Sequence, residues 1–218
     1  MIKFLLKGLI RDRTRSLFPT LVVLVGVALT VFLFNWMNGV KNNFIQVNAK
    51  FNTGHMKIMS RAYTEEADQI PNDLALEGIE GLLINLKEDF PGVIWTPRIR
   101  FGGLLDIPDE QGETRVQGPV VGLAVDIFSA SSPERNLLNL ENAVVRGRLP
   151  EEPGEILISD EFAHQLNIQP GEIATLISST MYGSMATANF TVVGTIRFGV
   201  AAMDRGAMLA DISDIQLA

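Results

Sequence analysis

The pattern of polar and apolar positions changes three times within the first 54 residues. Ile2, Leu5, Leu6, Leu9 and Ile10 recur at helical spacing, with Lys3, Lys7 and Arg11 on another face. That predicts an amphipathic helix over residues 1–16, lying along a membrane surface before the chain turns near Pro19. From Ser16 to Val40 no charged residue occurs, and 13 of the 21 positions in Leu17–Met37 are Leu, Val or Phe. As a helix these 21 residues span about 31 Å, matching a hydrocarbon core of about 30 Å. The 13 side chains favour insertion by about 4–8 kcal/mol. A transmembrane helix is therefore predicted over residues 17–40, with Trp36 at an interface. A cleaved signal peptide has a shorter apolar region ending at a small-x-small site, and "FNWMNGVKNN" offers none. A soluble core helix is seldom apolar on every face. Phe44, Val47 and Phe51 then repeat at helical spacing, so the helix is expected to extend over residues 41–54 and stop at Gly54.

The remaining residues alternate between short elements. "HMKIM" reads as a short strand, and residues 60–72, polar and broken by Pro71, as a loop. Asp73 is expected to cap a helix reaching Phe90, with Leu74, Ile79, Leu82, Leu83 and Leu86 on its buried face. "PGVIWTPRIRFGGLLDI" and "TRVQGPVVGLAVDI" read as strands joined by the turn "PDEQGE". A short helix, a Gly/Pro loop, a strand, a helix from Asp160 to Leu166 and another strand follow. "SSTMYGSMATA" is a hairpin tip, after which "NFTVVGTIRF" and "GAMLADI" read as strands. Helices and strands mix without strict βαβ alternation, so residues 55–218 are expected to form an α+β domain in two lobes.

Charge sets the orientation. Lys3, Lys7, Arg11, Arg13 and Arg15 precede the span against Asp12 alone, while only Lys41 follows closely. The positive-inside rule places the N-terminus in the cytoplasm and everything after about residue 40 outside. Residues 1–15 carry +4 of a net −7, leaving −11 on the rest. An acidic exported domain argues against nucleic acid and anionic lipid as partners. The chain has no cysteine, which excludes disulfides and thiolate metal sites.

Candidate chemistry is sparse. No Gly-rich phosphate loop precedes a Lys-Ser/Thr pair, so no ATP site is expected in this chain. His55 and His164 are its two histidines and are not clustered in sequence, so no metal site is expected. Glu65, Glu66 and Asp68, like Asp109, Glu110 and Glu113, are loop carboxylates expected to face solvent. No catalytic residue and no cofactor site is assigned. Gly26 and Thr30 form a small-xxx-small pair that could admit another helix closely. Met181, Tyr182 and Met185, at the hairpin tip, form the candidate contact with a partner or substrate, because methionine suits adaptable apolar surfaces.

The order of elements resembles the N-terminal half of MacB/FtsX/LolC-LolE-type permeases, the membrane subunits of mechanotransmitting ABC transporters. The resemblance is carried mainly by "GRLPEEPGEILISDEFAHQLNIQPGE" and "FTVVGTIRFGVAAMDRGAMLADISDIQ", with "TGHMKIM" and "VVGLAVD" closer to the LolC/LolE branch. It implies a MacB-like periplasmic core of two lobes over residues 55–218, in the bacterial inner membrane. It also implies a cytoplasmic ABC ATPase subunit that hydrolyses the ATP, a second permease copy or paralogue, and a lipoprotein or periplasmic carrier as cargo. LolC-like permeases hold their carrier with a longer, proline-containing hairpin at the place of Met181–Met185. Such permeases continue into three further spans, so the 218 residues are expected to be a fragment. The reading from another class is a single-span anchored sensor or ligand-binding ectodomain, which needs no ATPase.

Overall fold

The computed structural model describes residues 13–199 and 201–218, and divides them into an N-terminal unit ending at His55 and a second unit from Met56 to Ala218. In the first unit, helix α1 runs Arg13–Asn48 and passes through Pro19 without ending. Its 36 residues make a rod about 54 Å long. A π-helical turn, Ala49–Thr53, follows, and Gly54 leaves the helix with φ 62°. Within the segment Leu17–Phe51 the most apolar 18-residue window has a mean hydropathy of 2.6, and none of that window is buried within the chain. A helix this long and apolar is able to cross a membrane. The amphipathic segment expected over residues 1–16 lies outside the described residues, apart from the helical backbone of 13–16. No turn marks Pro19.

The second unit is built on one seven-stranded sheet. Strands β1 (Arg98–Pro108) and β2 (Thr114–Val125) form a long antiparallel hairpin around a turn at Asp109–Glu113. The rest are β3 (Val144–Gly147), β4 (Glu155–Ser159), β5 (Ile173–Ser179), β6 (Met185–Ile196) and β7 (Ala207–Asp211). Their order is β3-β6-β4-β7-β2-β1-β5, and β5 pairs back onto β6. Six strands thus close into a barrel, with β3 appended along β6. The expectation of a two-lobe, MacB-like α+β domain over residues 55–218 is overturned by this closure. The sequence shows local periodicity, but it does not show that β2 pairs in parallel with β7, or that β1 pairs with β5 some 70 residues away. Nor can the helices build a second lobe. Those outside α1 have four to six residues, except for one of ten.

The barrel interior holds Phe101, Leu105, Ile107, Val120, Ile156, Ile158, Phe162, Phe190, Val192 and Met208, among others. Central strands β4 and β7 are buried at every position. Ile156 and Ile158 face the interior cluster, while Leu157, equally buried, stands outside it, so β4 is covered on both faces. "EILIS" accordingly reads as a continuous apolar run with no alternation. Phe101 lies over Gly122, its cross-strand partner: a Cβ on Gly122 would meet the ring at 2.0 Å.

Short helices and ion pairs pin the strand ends. Helix α2 spans Arg61–Glu65, α3 Glu80–Asp89, α4 Glu134–Leu137 and α5 Leu140–Ala143. Helix α6 spans Asp160–Gln165, α7 Ala201–Asp204 and α8 Ile212–Leu217. Glu134, fully buried, receives both arms of Arg98 at 2.8 Å, tying the start of β1 to α4. Asp211 ends β7: one oxygen accepts the Ile127 N–H and the other the Ser213 N–H, each at 2.9 Å, and the second bond caps α8. Ile212 and Ile215 of α8 pack against the barrel interior.

Residues 55–95 differ most from their sequence pattern. "HMKIM" is not a strand, and residues 61–65 and 67–69 are helical turns where a loop is expected. The helix expected from Asp73 starts only at Glu80, and no residue in it is buried. Leu82 is exposed, as are Ile84, Phe90 and Ile94, while Leu83 and Leu86 are half-buried. Gly78, at φ 58°, breaks the pattern just before the helix begins.

Glu155 gives the fold a pH dependence. Its carboxylate takes two hydrogen bonds from Arg148 and further ones from the N–H groups of Glu151 and Glu152. The Arg148 hydrogen bond is the chief cause holding its pKa at about 2, below the ordinary 4.5. A lowered folded-state pKa contributes stability that is complete above about pH 4.5 and lost as pH falls through about 2. Glu155→Gln is expected to cost about 2 kcal/mol at pH 7. Urea titrations across pH should show that difference shrinking below pH 4.5 and nearly vanishing near pH 2.

Candidate functional site

The projecting end of the β5–β6 hairpin is the site, and its construction follows from strand length. β6 has 12 residues. Its first half pairs with β5 from Met185↔Ser179 to Thr191↔Ile173, and only from Thr191 onward does β4 pair with its other edge. Ile156↔Val192 is followed by Leu157↔Gly194, so Val193 is an extra residue, a bulge that bends β6 where it enters the barrel wall.

At the tip, Gly183 N–H donates to the Thr180 carbonyl at 3.0 Å, and Thr180 N–H to the Ser184 carbonyl at 2.7 Å. This is a three-residue loop with Met181 and Tyr182 at its centre. Gly183, at φ 79°, takes the left-handed position that such loops require. Tyr182 and Met185 are each 81% exposed, and Met181 is half-buried. The structure therefore brings the three predicted contact residues together at the tip of one hairpin. From Ile173 to Ile196 no residue is charged, so the whole hairpin is neutral in an acidic chain. That run is legible in the sequence, yet it gains meaning only once both strands are seen to share one arm.

Other candidate residues do not converge. Gly26 and Thr30 face outward on α1, where the Thr30 hydroxyl donates to the Gly26 carbonyl at 2.8 Å. A Cβ on Gly26 would meet nothing within 4 Å. His55 belongs to the first unit, and His164 lies exposed on α6. Among the described residues no group of three or more His, Asp or Glu could hold a metal ion. Asp109 folds its own turn, accepting the N–H groups of Gln111 and Glu113.

One polar cluster was not foreseen. Asp160, 4% exposed at the start of α6, accepts from Arg146 Nε and Thr195 Oγ1 at 2.8 Å and from Arg197 Nη2 at 3.2 Å. His164 Nε2 stands 3.7 Å from it. Burial pushes the carboxyl up, but the hydrogen bonds from Thr195 and Arg146, with the nearby charges, outweigh it and hold it below the usual carboxylate range. Arg197, Asp204 and Gly199 line a shallow hollow beside it. Asp204 is engaged too, accepting the Phe198 N–H at 2.7 Å. Asp160, bonded to two arginines and a threonine, joins β3, β6 and α6 and is not poised as acid or base.

Two variants separate these regions. Asp160→Ala, which removes the carboxylate shared by Arg146, Arg197 and the buried Thr195 hydroxyl, is expected to cost about 3 kcal/mol in urea unfolding. Replacing Met181, Tyr182 and Met185 by Ser together should change stability by no more than about 0.5 kcal/mol per site, because the side chains bury little. Comparison with protein-family models finds no match, and comparison with curated proteins finds none.

Proposed function

We propose that this chain is a membrane-anchored subunit of a mechanotransmitting ABC transporter, in which α1 crosses the inner membrane and the barrel works outside it. The observation that carries the reading is the uninterrupted helix. It continues 11 residues past Met37, about 16 Å beyond the most apolar segment, before the π-helical turn. A helix that only anchors needs no such extension, whereas one that passes movement to an outer domain does. The basic flank before the span supports a cytoplasmic N-terminus and an external barrel. The resemblance of "GRLPEEPGEILISDEFAHQLNIQPGE" and "FTVVGTIRFGVAAMDRGAMLADISDIQ" to MacB/FtsX/LolC-type permeases supports the same assignment. In this reading a separate cytoplasmic subunit hydrolyses ATP, and the hairpin arm with Met181, Tyr182 and Met185 touches the external partner, a lipoprotein or its carrier. The neutral, exposed tip supports that role, since apolar and methionine-rich surfaces recognise partners without charge matching.

The absence of cysteine makes topology directly measurable. Tyr182→Cys is expected to react with a membrane-impermeant thiol reagent in intact cells, and Lys7→Cys only after the membrane is opened. Solubilised from native membranes, the tagged protein should carry an ATPase subunit with it. Labelling of Lys7→Cys from outside, or recovery with no ATPase, would overturn the reading in favour of a single-span anchored receptor.

A further inference from the structure

Two open edges of the sheet, that of β1 beyond β5 and that of β6 before β4, are treated differently by the rest of the chain. Backbone groups of β1 that would lie open beyond β5 are capped by side chains. The Ser178 hydroxyl donates to the Gly102 carbonyl at 2.6 Å, and the Asn72 amide to the Arg100 carbonyl at 2.9 Å. The outer edge of β6 has no such cover. The bonds Thr180 N–H to Ser184 O and Val192 N–H to Glu172 O fix the parity of the ladder: even residues of β6 turn their backbone groups to β5. Odd residues turn theirs the other way, as Thr191 shows by donating to Gly154 at 2.8 Å on the side of β4. Met185, Thr187 and Asn189 therefore point their N–H and C=O groups along an edge that no strand among the described residues occupies. Their side chains are exposed, while Ala186 and Ala188 are half-buried and Phe190 is buried. This stretch has none of the devices that guard an edge: no lysine, no proline, no inward charge and no bulge before Val193.

Resting on the reading of the arm as a contact surface whose tip meets the external partner, we propose that the outer edge of β6 is occupied by the same edge of a second copy of this chain. The two β6 strands would run antiparallel about a two-fold axis at Thr187. Charge selects this occupant. Beyond residue 15 each copy carries −11, so copies repel over most of their surface, and the neutral run Ile173–Ile196 is where they approach without that cost. Register supports it as well. The axis sets Thr187 opposite its own counterpart and Met185 opposite Asn189. The first is a favourable cross-strand pair, and no like charges meet. Each of the three odd residues exchanges two backbone hydrogen bonds with its opposite, six in all by this geometry. The contact is isologous and closed, so it stops at two copies and does not propagate into a fibre.

Single cysteines in the cysteine-free full chain, kept in its membrane, test this. Opposed residues in such a pair have Cα atoms about 5.5 Å apart, within the range a disulfide bridges. Thr187→Cys is expected to yield a covalent dimer on mild oxidation. Met185→Cys co-expressed with Asn189→Cys should yield the mixed dimer. Tyr182→Cys should give about tenfold less, since the two tips would lie about 30 Å apart on opposite sides of the axis. Thr187→Pro removes an N–H that the β5 ladder does not use. It should reduce the mixed 185–189 cross-link about tenfold without shifting the melting temperature. If that variant unfolds, Thr187→Asp replaces it: alone it should lose the mixed cross-link, and pairing with a Thr187→Lys chain should restore it. Equal cross-linking at 182 and 187, or none at 187, overturns the pairing. Whether the triple Ser variant at 181, 182 and 185 loses its external partner is scored separately, so the arm can keep its partner role even if the pairing fails.

Discussion

The structure of the second unit depends on one constraint: β6 is 12 residues long and β4, which lies against it, is five. A single strand must therefore serve two neighbours in succession along its length. Its first half is held by β5, its second by β4 and β3, and the bulge at Val193 absorbs the change of direction. Barrel closure follows from this strand, because β5 reaches the ring only through β6 on one side and three residues of β1 on the other. The projecting arm follows from it too. Where β4 has not yet begun, β6 has no neighbour on that side.

The polar cluster around Asp160 belongs to the same constraint. Arg146 comes from β3, Thr195 from the second half of β6, and Arg197 from just past its end. A short appended strand such as β3, with a register shift between Val144 and Arg146, offers few backbone bonds to hold it. A carboxylate buried beneath it and bonded to side chains from both strands supplies what the ladder lacks. Breaking one partner leaves buried charge behind, so the cluster fixes the geometry of the junction more than it adds net stability.

What the sequence discloses and what it withholds divide along the same physical line. Features set by local pattern are legible: the uncharged run Ser16–Val40, the β1–β2 hairpin around Asp109–Glu113, the helix beginning at Asp160 and the tip at Met181–Gly183. Features set by pairing at a distance are not. Nothing in "GAMLADI" says that it will lie between β4 and β2, parallel to one and antiparallel to the other. The apolar residues from Leu74 to Leu86 show the opposite failure. Their spacing is helical, but Gly78 at positive φ interrupts them, and the ten-residue helix that remains buries none of its side chains fully, leaving Leu83 and Leu86 half-buried. Periodicity reports which face could be buried, not whether a surface exists to bury it against.

An uncapped strand edge is costly to keep, because it invites pairing with any extended chain. The chain shows that it can cap such edges, since Ser178 and Asn72 do so along β1 with one hydrogen bond each. A lysine at Thr187 would protect β6 equally cheaply, and the outward position would accept it. The neutral stretch is also not what this composition delivers at random. One residue in five is charged, yet 24 in succession here are not. Neutrality, exposure and unpaired backbone coincide on one projecting arm, while the charges of the chain lie outside it. That coincidence marks the arm as a surface made to be covered, and its own sequence, uncharged and matched to itself about Thr187, suits a second copy as the cover.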